Sequence, residues 1–255
     1  MLRKLLFLSG LLFVPVSGQA RVFDIGNEHF AAYLKGQYGQ AHQKDETFAR
    51  SSGASTNFTD EYKVNYAYEF GFVYATPIVN LRFGFEILRP TDLKDVKGTS
   101  SGGTEYFGMT SSVSGYAPKI GLEANLKQWS QSRLFAAIDY GLATMTVQNS
   151  YTFTAAGQAQ YPSAGATNFR EELKGDGPLI ETTLGFETLL SDATTIAFDV
   201  GYRALSVDSF KHTQAVTNFQ GAVSEGTTAL NNDGSTRTLN MNGAFASVML
   251  RFWIK

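Results

Sequence analysis

Residues 62–74 place Tyr62, Val64, Tyr66, Tyr68, Phe70, Phe72 and Tyr74 on one parity and Lys63, Asn65, Ala67, Glu69 and Gly71 on the other. The period is two. A helix would spread these aromatics around its whole circumference, whereas a strand gathers them on one face. The same alternation recurs over residues 30–40, 78–88, 115–127, 133–148, 179–190, 194–207 and 237–254. Three tight turns (75–77, 128–132, 191–193) alternate with four long connections (41–60, 89–114, 149–178, 208–236). Eight strands joined short, long, short, long form an up-and-down meander with every large loop at one end. Loops of that length are uncommon on compact soluble domains.

Composition agrees with this pattern. Aromatic residues make up 13% of the 255 residues, but charged residues only 17%, below the roughly 25% usual in soluble domains. The mean hydropathy of -0.13 is too low for a bundle of transmembrane helices. Beyond the first twenty residues no apolar run approaches the ~18 residues a spanning helix needs, so membrane residence would have to come from strands. Cysteine is absent, which removes disulfides and thiolate chemistry. Arg3 and Lys4, an apolar stretch over 5–16 and Ser17-Gly18-Gln19-Ala20 read as a secretory signal peptide cleaved after Ala20. That divides the chain into a signal peptide, 1–20, and one barrel domain, 21–255. Cleavage removes two basic residues and no acidic one, so the chain stays acidic and offers nucleic acid no basic surface.

Magnitude decides which face points inward. One parity is bulky and apolar, as in Val79, Leu81, Phe83, Phe85 and Ile87. The other repeats a glycine flanked two residues away by charge, as in Arg82-x-Gly84-x-Glu86, Lys119-x-Gly121-x-Glu123 and Asp199-x-Gly201-x-Arg203. With Lys35, this parity predicts a lumen charge network of Lys63, Glu69, Arg82, Glu86, Lys119, Glu123, Asp139, Glu181, Glu187, Asp199, Arg203 and Arg251. Facing lipid at mid-depth, its basic members at about 2 kcal/mol each would cost on the order of 12 kcal/mol, which rivals the whole stability of a typical fold. Facing an eight-stranded lumen they can pair, with glycines leaving room for them. A soluble lipocalin-like barrel would instead need the aromatic rows to fill a small lumen, and would leave the long loops unexplained. The expected fold is therefore all-β, an eight-stranded antiparallel transmembrane barrel with four long extracellular loops and three short periplasmic turns. Thirteen-residue strands exceed the 9–11 needed to span, so the barrel should project beyond the membrane on the loop side. Tyr74, Trp129, Phe252 and Trp253 are expected in a girdle near the turns, and Tyr62, Tyr116 and Tyr151 in one near the loops.

This arrangement resembles the small eight-stranded outer-membrane β-barrels of Gram-negative bacteria, the OmpA/OmpX/OmpW-type superfamily. The closing segment Ala244, Ala246, Val248, Leu250, Phe252, Ile254 is similar to the C-terminal strand that the barrel-assembly machinery recognises in such proteins. It departs from the family in continuing to Ile254 and Lys255 after Phe252-Trp253. The resemblance implies location in the outer membrane, partnership with outer-membrane lipid and lipopolysaccharide, a monomeric state, and no cofactor.

Catalytic and metal motifs are sparse. His42 and His212 lie in the first and fourth long connections, which become neighbours when the last strand meets the first. A rim enzyme built on them is one alternative, and a metal site there is weaker. Asn231-Asn232-Asp233-Gly234 lacks the ligand spacing of a calcium loop, and Ser100-Ser101-Gly102-Gly103 lacks the lysine of a phosphate-binding loop. The expectation is a non-enzymatic barrel with a closed, charge-filled lumen and a structural or surface-interaction role. A narrow porin for small or hydrophobic solutes is the other alternative.

Overall fold

The computed structural model describes residues 29–41, 57–162, 168–231 and 234–254, and the signal peptide and His42 lie outside these. Eight strands form the wall: β1 (Phe30–Gln40), β2 (Val64–Tyr74), β3 (Val79–Pro90), β4 (Glu105–Gln128), β5 (Ser132–Phe153), β6 (Phe169–Ser191), β7 (Thr194–Val207) and β8 (Gly243–Ile254). Each pairs antiparallel with its sequence neighbours. The last closes on the first over ten register pairs from Phe30↔Ile254 to Gly39↔Phe245, so the wall has no free edge.

Outward residues up to one level around the ring are predominantly apolar, with Thr182 on β6 an exception, and that level is visible in the sequence. It runs through Tyr38 on β1, Tyr66 on β2, Ile87 on β3, Tyr116 on β4, Leu142 on β5 and Tyr202 on β7, each exposed by 39–58% of its surface. The next outward positions are Gln40 on β1, Arg89 on β3, Ser114 on β4, Thr144 on β5 and Asp176 on β6, with the small apolar Val64 and Ala204 on β2 and β7. From Phe30 to Tyr38, or from Tyr74 to Tyr66, the apolar band occupies nine positions, the length a tilted strand needs to cross the hydrocarbon. Tyr74, Trp129 and Phe252 are exposed at the turn end, as an interfacial girdle requires. Trp253 differs: it is buried and donates its indole N–H to Thr195 Oγ1 at 3.2 Å.

Beyond that level the strands do not stop. β4, β5 and β6 extend well past the expected boundaries, so most of the two long connections 89–114 and 149–178 is sheet rather than loop. From Thr144 to the end of β5 the extension covers about 33 Å of strand. A short strand, Leu93–Thr99, flanks β4, and a six-residue helix, α1 (Ala155–Gln160), capped by Thr154, closes the tip. Polarity inverts at the same level. Inside the extension lie Val113, Ala143, Met145, Val147, Leu173, Leu205 and Val207, all buried, while Ser112, Ser114, Thr144 and Thr146 face outward. The parity is unbroken, but the outside has changed from lipid to water, so apolar side chains move to the interior.

Candidate functional site: the lumen and its outer plug

Within the apolar band the lumen is filled by charged side chains in two layers. Near the turns, Arg251 on β8 places Nη2 2.5 Å from Glu123 Oε2 and Nη1 3.0 Å from Glu187 Oε2. Arg133, at the start of β5, reaches the same two carboxylates at 2.6 and 2.5 Å. Asn80 Nδ2 donates to Glu123 at 2.9 Å, and Thr195 donates to Glu187. Both guanidinium groups lie over the Phe135 ring, at 5.3 and 5.4 Å from its centroid.

The second layer centres on Lys119. Its Nζ lies 2.7 Å from Glu69, 2.7 Å from Glu181 and 3.0 Å from Glu86. Arg203 bonds Glu181 at 2.6 Å and also Glu86, while Tyr33 donates to Glu69. Three carboxylates so close together could hold a cation, and here the lysine ammonium occupies that role. Arg82 stands between the layers, 3.5 Å from Asp139 and 3.8 Å from Glu123. Lys35 lies 3.8 Å from Asp199, which accepts a hydrogen bond from Ser247. Glycine makes this density possible: a Cβ on Gly84 would sit 2.6 Å from the Tyr33 hydroxyl, and one on Gly141 2.8 Å from Lys119 Cγ.

Eleven of the twelve charged residues assigned to the lumen from the sequence are buried there. Lys63 is the exception and a correction. Its side chain is 64% exposed and bonds Asp60 at 2.9 Å, because β2 begins only at Val64 and the strand parity does not reach back to it. That hydrogen bond holds the Asp60 carboxyl below its ordinary range. The same shift in phase buries Tyr62, which was expected in the girdle, and it donates to Ser111 at 2.7 Å. Arg133 was missed because it opens its strand beside a turn. Its sequence signal is the alternating Arg133-x-Phe135-x-Ala137.

Above the charged layers sits an apolar plug. Phe107, Tyr151, Phe153, Tyr161 and Phe219 pack edge-on and tilted, with ring centroids 4.9–6.4 Å apart. Tyr151, also expected in the girdle, is part of it. One buried ion pair, Arg237 with Glu171, lies beside the plug, and Asn149 and Tyr151 donate to Glu171 at 3.2 and 3.3 Å. Glu171 falls in a stretch read from sequence as loop, and Arg237 at the expected start of the last strand, which begins only at Gly243. His212 is buried next to this pair with neither ring nitrogen hydrogen-bonded, and burial pushes its imidazole below the usual range.

No family model matches the chain, and no curated protein matches it. Among solved structures it is similar to the outer membrane protein OprG from Pseudomonas aeruginosa, at 10% identity and a TM-score of 0.50, covering 91% of this chain and 99% of that one. It is also similar to Neisserial surface protein A, at 10% identity and a TM-score of 0.43, covering 88% and 97%. A third match is the outer membrane protease OmpT from Escherichia coli, at 7% identity and a TM-score of 0.45, covering 92% and 99%. The fold is that of the outer-membrane β-barrels. At 10% identity the likeness to OprG is one of fold, and a fold by itself does not select an activity.

Proposed function

We propose that the chain is an integral outer-membrane barrel that does not conduct, and that it serves a structural or surface-interaction role through the walls and loops it raises above the membrane. The observation that carries this reading is the double obstruction of the interior. A solute would have to displace the Arg133–Glu123–Arg251–Glu187 lattice and then part the Phe107–Tyr151–Phe219 plug. Separating a buried ion pair leaves an uncompensated charge, at about 3–5 kcal/mol each.

Planar-bilayer recordings on the purified barrel test this. The expected trace is flat, apart from rare flickers, across applied voltages; a stable open conductance in the wild-type protein would refute the reading. The proposal is also non-enzymatic. Of the two histidines that motivated a rim site, His212 is buried rather than presented to solvent.

A further inference from the structure

We propose that the outward wall formed by β3–β6 just above the apolar band binds the phosphorylated saccharide headgroup of an outer-leaflet glycolipid, with lipopolysaccharide as the occupant. This rests on the barrel standing in an outer membrane with its long loops outside.

The wall carries a concavity of about 340 Å³ that straddles the polarity boundary. Its lower lining is Phe85, Ile87 and Tyr116, with the Phe85 and Tyr116 rings stacked at 5.7 Å; its upper lining is Arg89, Ser114 and Thr146. An occupant must therefore be amphipathic and continuous with the membrane, with acyl chain below and hydroxyl-bearing head above. Soluble ligands have no use for the lower half.

Charge identifies the head. Strand register sets Ser114 opposite Thr146 and Thr146 opposite Lys174, and Lys211 stands directly opposite Lys174 on the far side. Arg89, Lys174 and Lys211 are exposed, and among the described residues none makes an ion pair. Like charges directly opposite on neighbouring strands are destabilising unless an anion lies between them. Two carboxylates flank Lys174 on this face, Asp176 held by Thr144 at 2.5 Å and Glu172 held by Gln148 at 2.6 Å; beside them the strip offers a cation at one end, hydroxyls in the middle and a lysine pair at the other end, over four strand spacings or about 19 Å. A saccharide with phosphates toward both ends complements it, whereas a phospholipid with one phosphate fills one end only.

The test uses the full barrel in phosphatidylcholine nanodiscs, titrated with rough lipopolysaccharide, its dephosphorylated form, phosphatidylglycerol and a soluble sulfated polysaccharide. Wild-type protein should bind lipopolysaccharide saturably, and the dephosphorylated form and phosphatidylglycerol about ten-fold more weakly. Arg89→Ala and the Lys174→Ala/Lys211→Ala pair should each weaken binding about ten-fold, while Arg89→Lys retains most of it. Equal lipopolysaccharide affinity across these variants, or equal binding of the dephosphorylated form, overturns the proposal. So does preference for the soluble polysaccharide. Heat-modifiable gel migration reports the barrel separately: a wild-type chain lacking it would fail as a membrane barrel, whereas unchanged affinity in folded variants removes only this site.

Discussion

Arg251→Leu is the sharpest probe of the lumen. The substitution is nearly volume-conserving, so packing loss is small and the change is mainly electrostatic. It removes contacts of 2.5 and 2.9 Å to Glu123 and one of 3.0 Å to Glu187, all fully buried. Glu123 keeps Arg133 at 2.6 Å and Asn80 at 2.9 Å, and Glu187 keeps Arg133 at 2.5 Å, so neither carboxylate is stripped of partners. The cost should therefore fall at the lower end of the about 3–5 kcal/mol range for breaking a buried pair. Reversible urea unfolding in lipid vesicles, followed by gel migration, measures it directly. The double variant Arg251→Leu/Glu123→Gln should be less destabilised than the two singles added, by at least about 1 kcal/mol, since the second change removes the charge the first left exposed to low dielectric. Lys97→Ala, which breaks an exposed pair with Glu105 at 2.7 Å, supplies the baseline and should cause no resolvable change. If Arg251→Leu costs under about 1 kcal/mol and the pair of changes is additive, the lumen charges behave as independent hydrated groups and the lattice reasoning fails.

Other outcomes follow from the polarity boundary and the outer plug. Ile138→Lys, in the middle of the outward apolar face of β5, should cost about 2–4 kcal/mol in the same unfolding assay, whereas Thr152→Lys on the same face of the same strand, above the boundary, should be neutral. Equal effects would mean the boundary is misplaced. For His212, whose folded value is depressed from 6.5, the unfolded chain takes up the proton first as pH falls. Stability of the segment around Lys211–His212 is thus complete above pH 6.5 and declines as pH drops from there toward the folded value. Amide exchange should show residues 211–213 and 226–229 losing protection on acidification. His212→Gln should flatten that slope, and an unchanged slope would show that another group is responsible.

Period-two alternation was enough to locate the wall because a barrel in lipid imposes one rule along each strand: bulk outside, glycine and charge inside. Stretch 62–74 obeys that rule from Val64 onward, and the parity placed Glu69, Arg82, Lys119 and Arg251 in the lumen without any family knowledge. Where the solvent outside changes, the same rule yields the opposite pattern. In 105–114 the outward positions are Thr110, Ser112 and Ser114, which look like loop, and the apolar inward ones, Phe107, Met109 and Val113, carry no charge to mark them as lumen. The same inversion hid Glu171 and Tyr151. Strand ends account for the remaining errors: at Tyr62 and Lys63 the phase slips before pairing begins, and at Trp253 an aromatic near a terminus points inward to a hydroxyl.

The ring closure has a consequence for the order in which the barrel is made. Translation supplies Glu123, Arg133 and Glu187 long before Arg251, so an unclosed sheet holds two carboxylates against a single guanidinium in this layer. The eighth strand also brings the Ser247 hydroxyl to Asp199. Geometrical completion and charge neutralisation therefore arrive together, with the same twelve residues, and a chain truncated before Gly243 would carry both an open edge and an acidic interior into the periplasm.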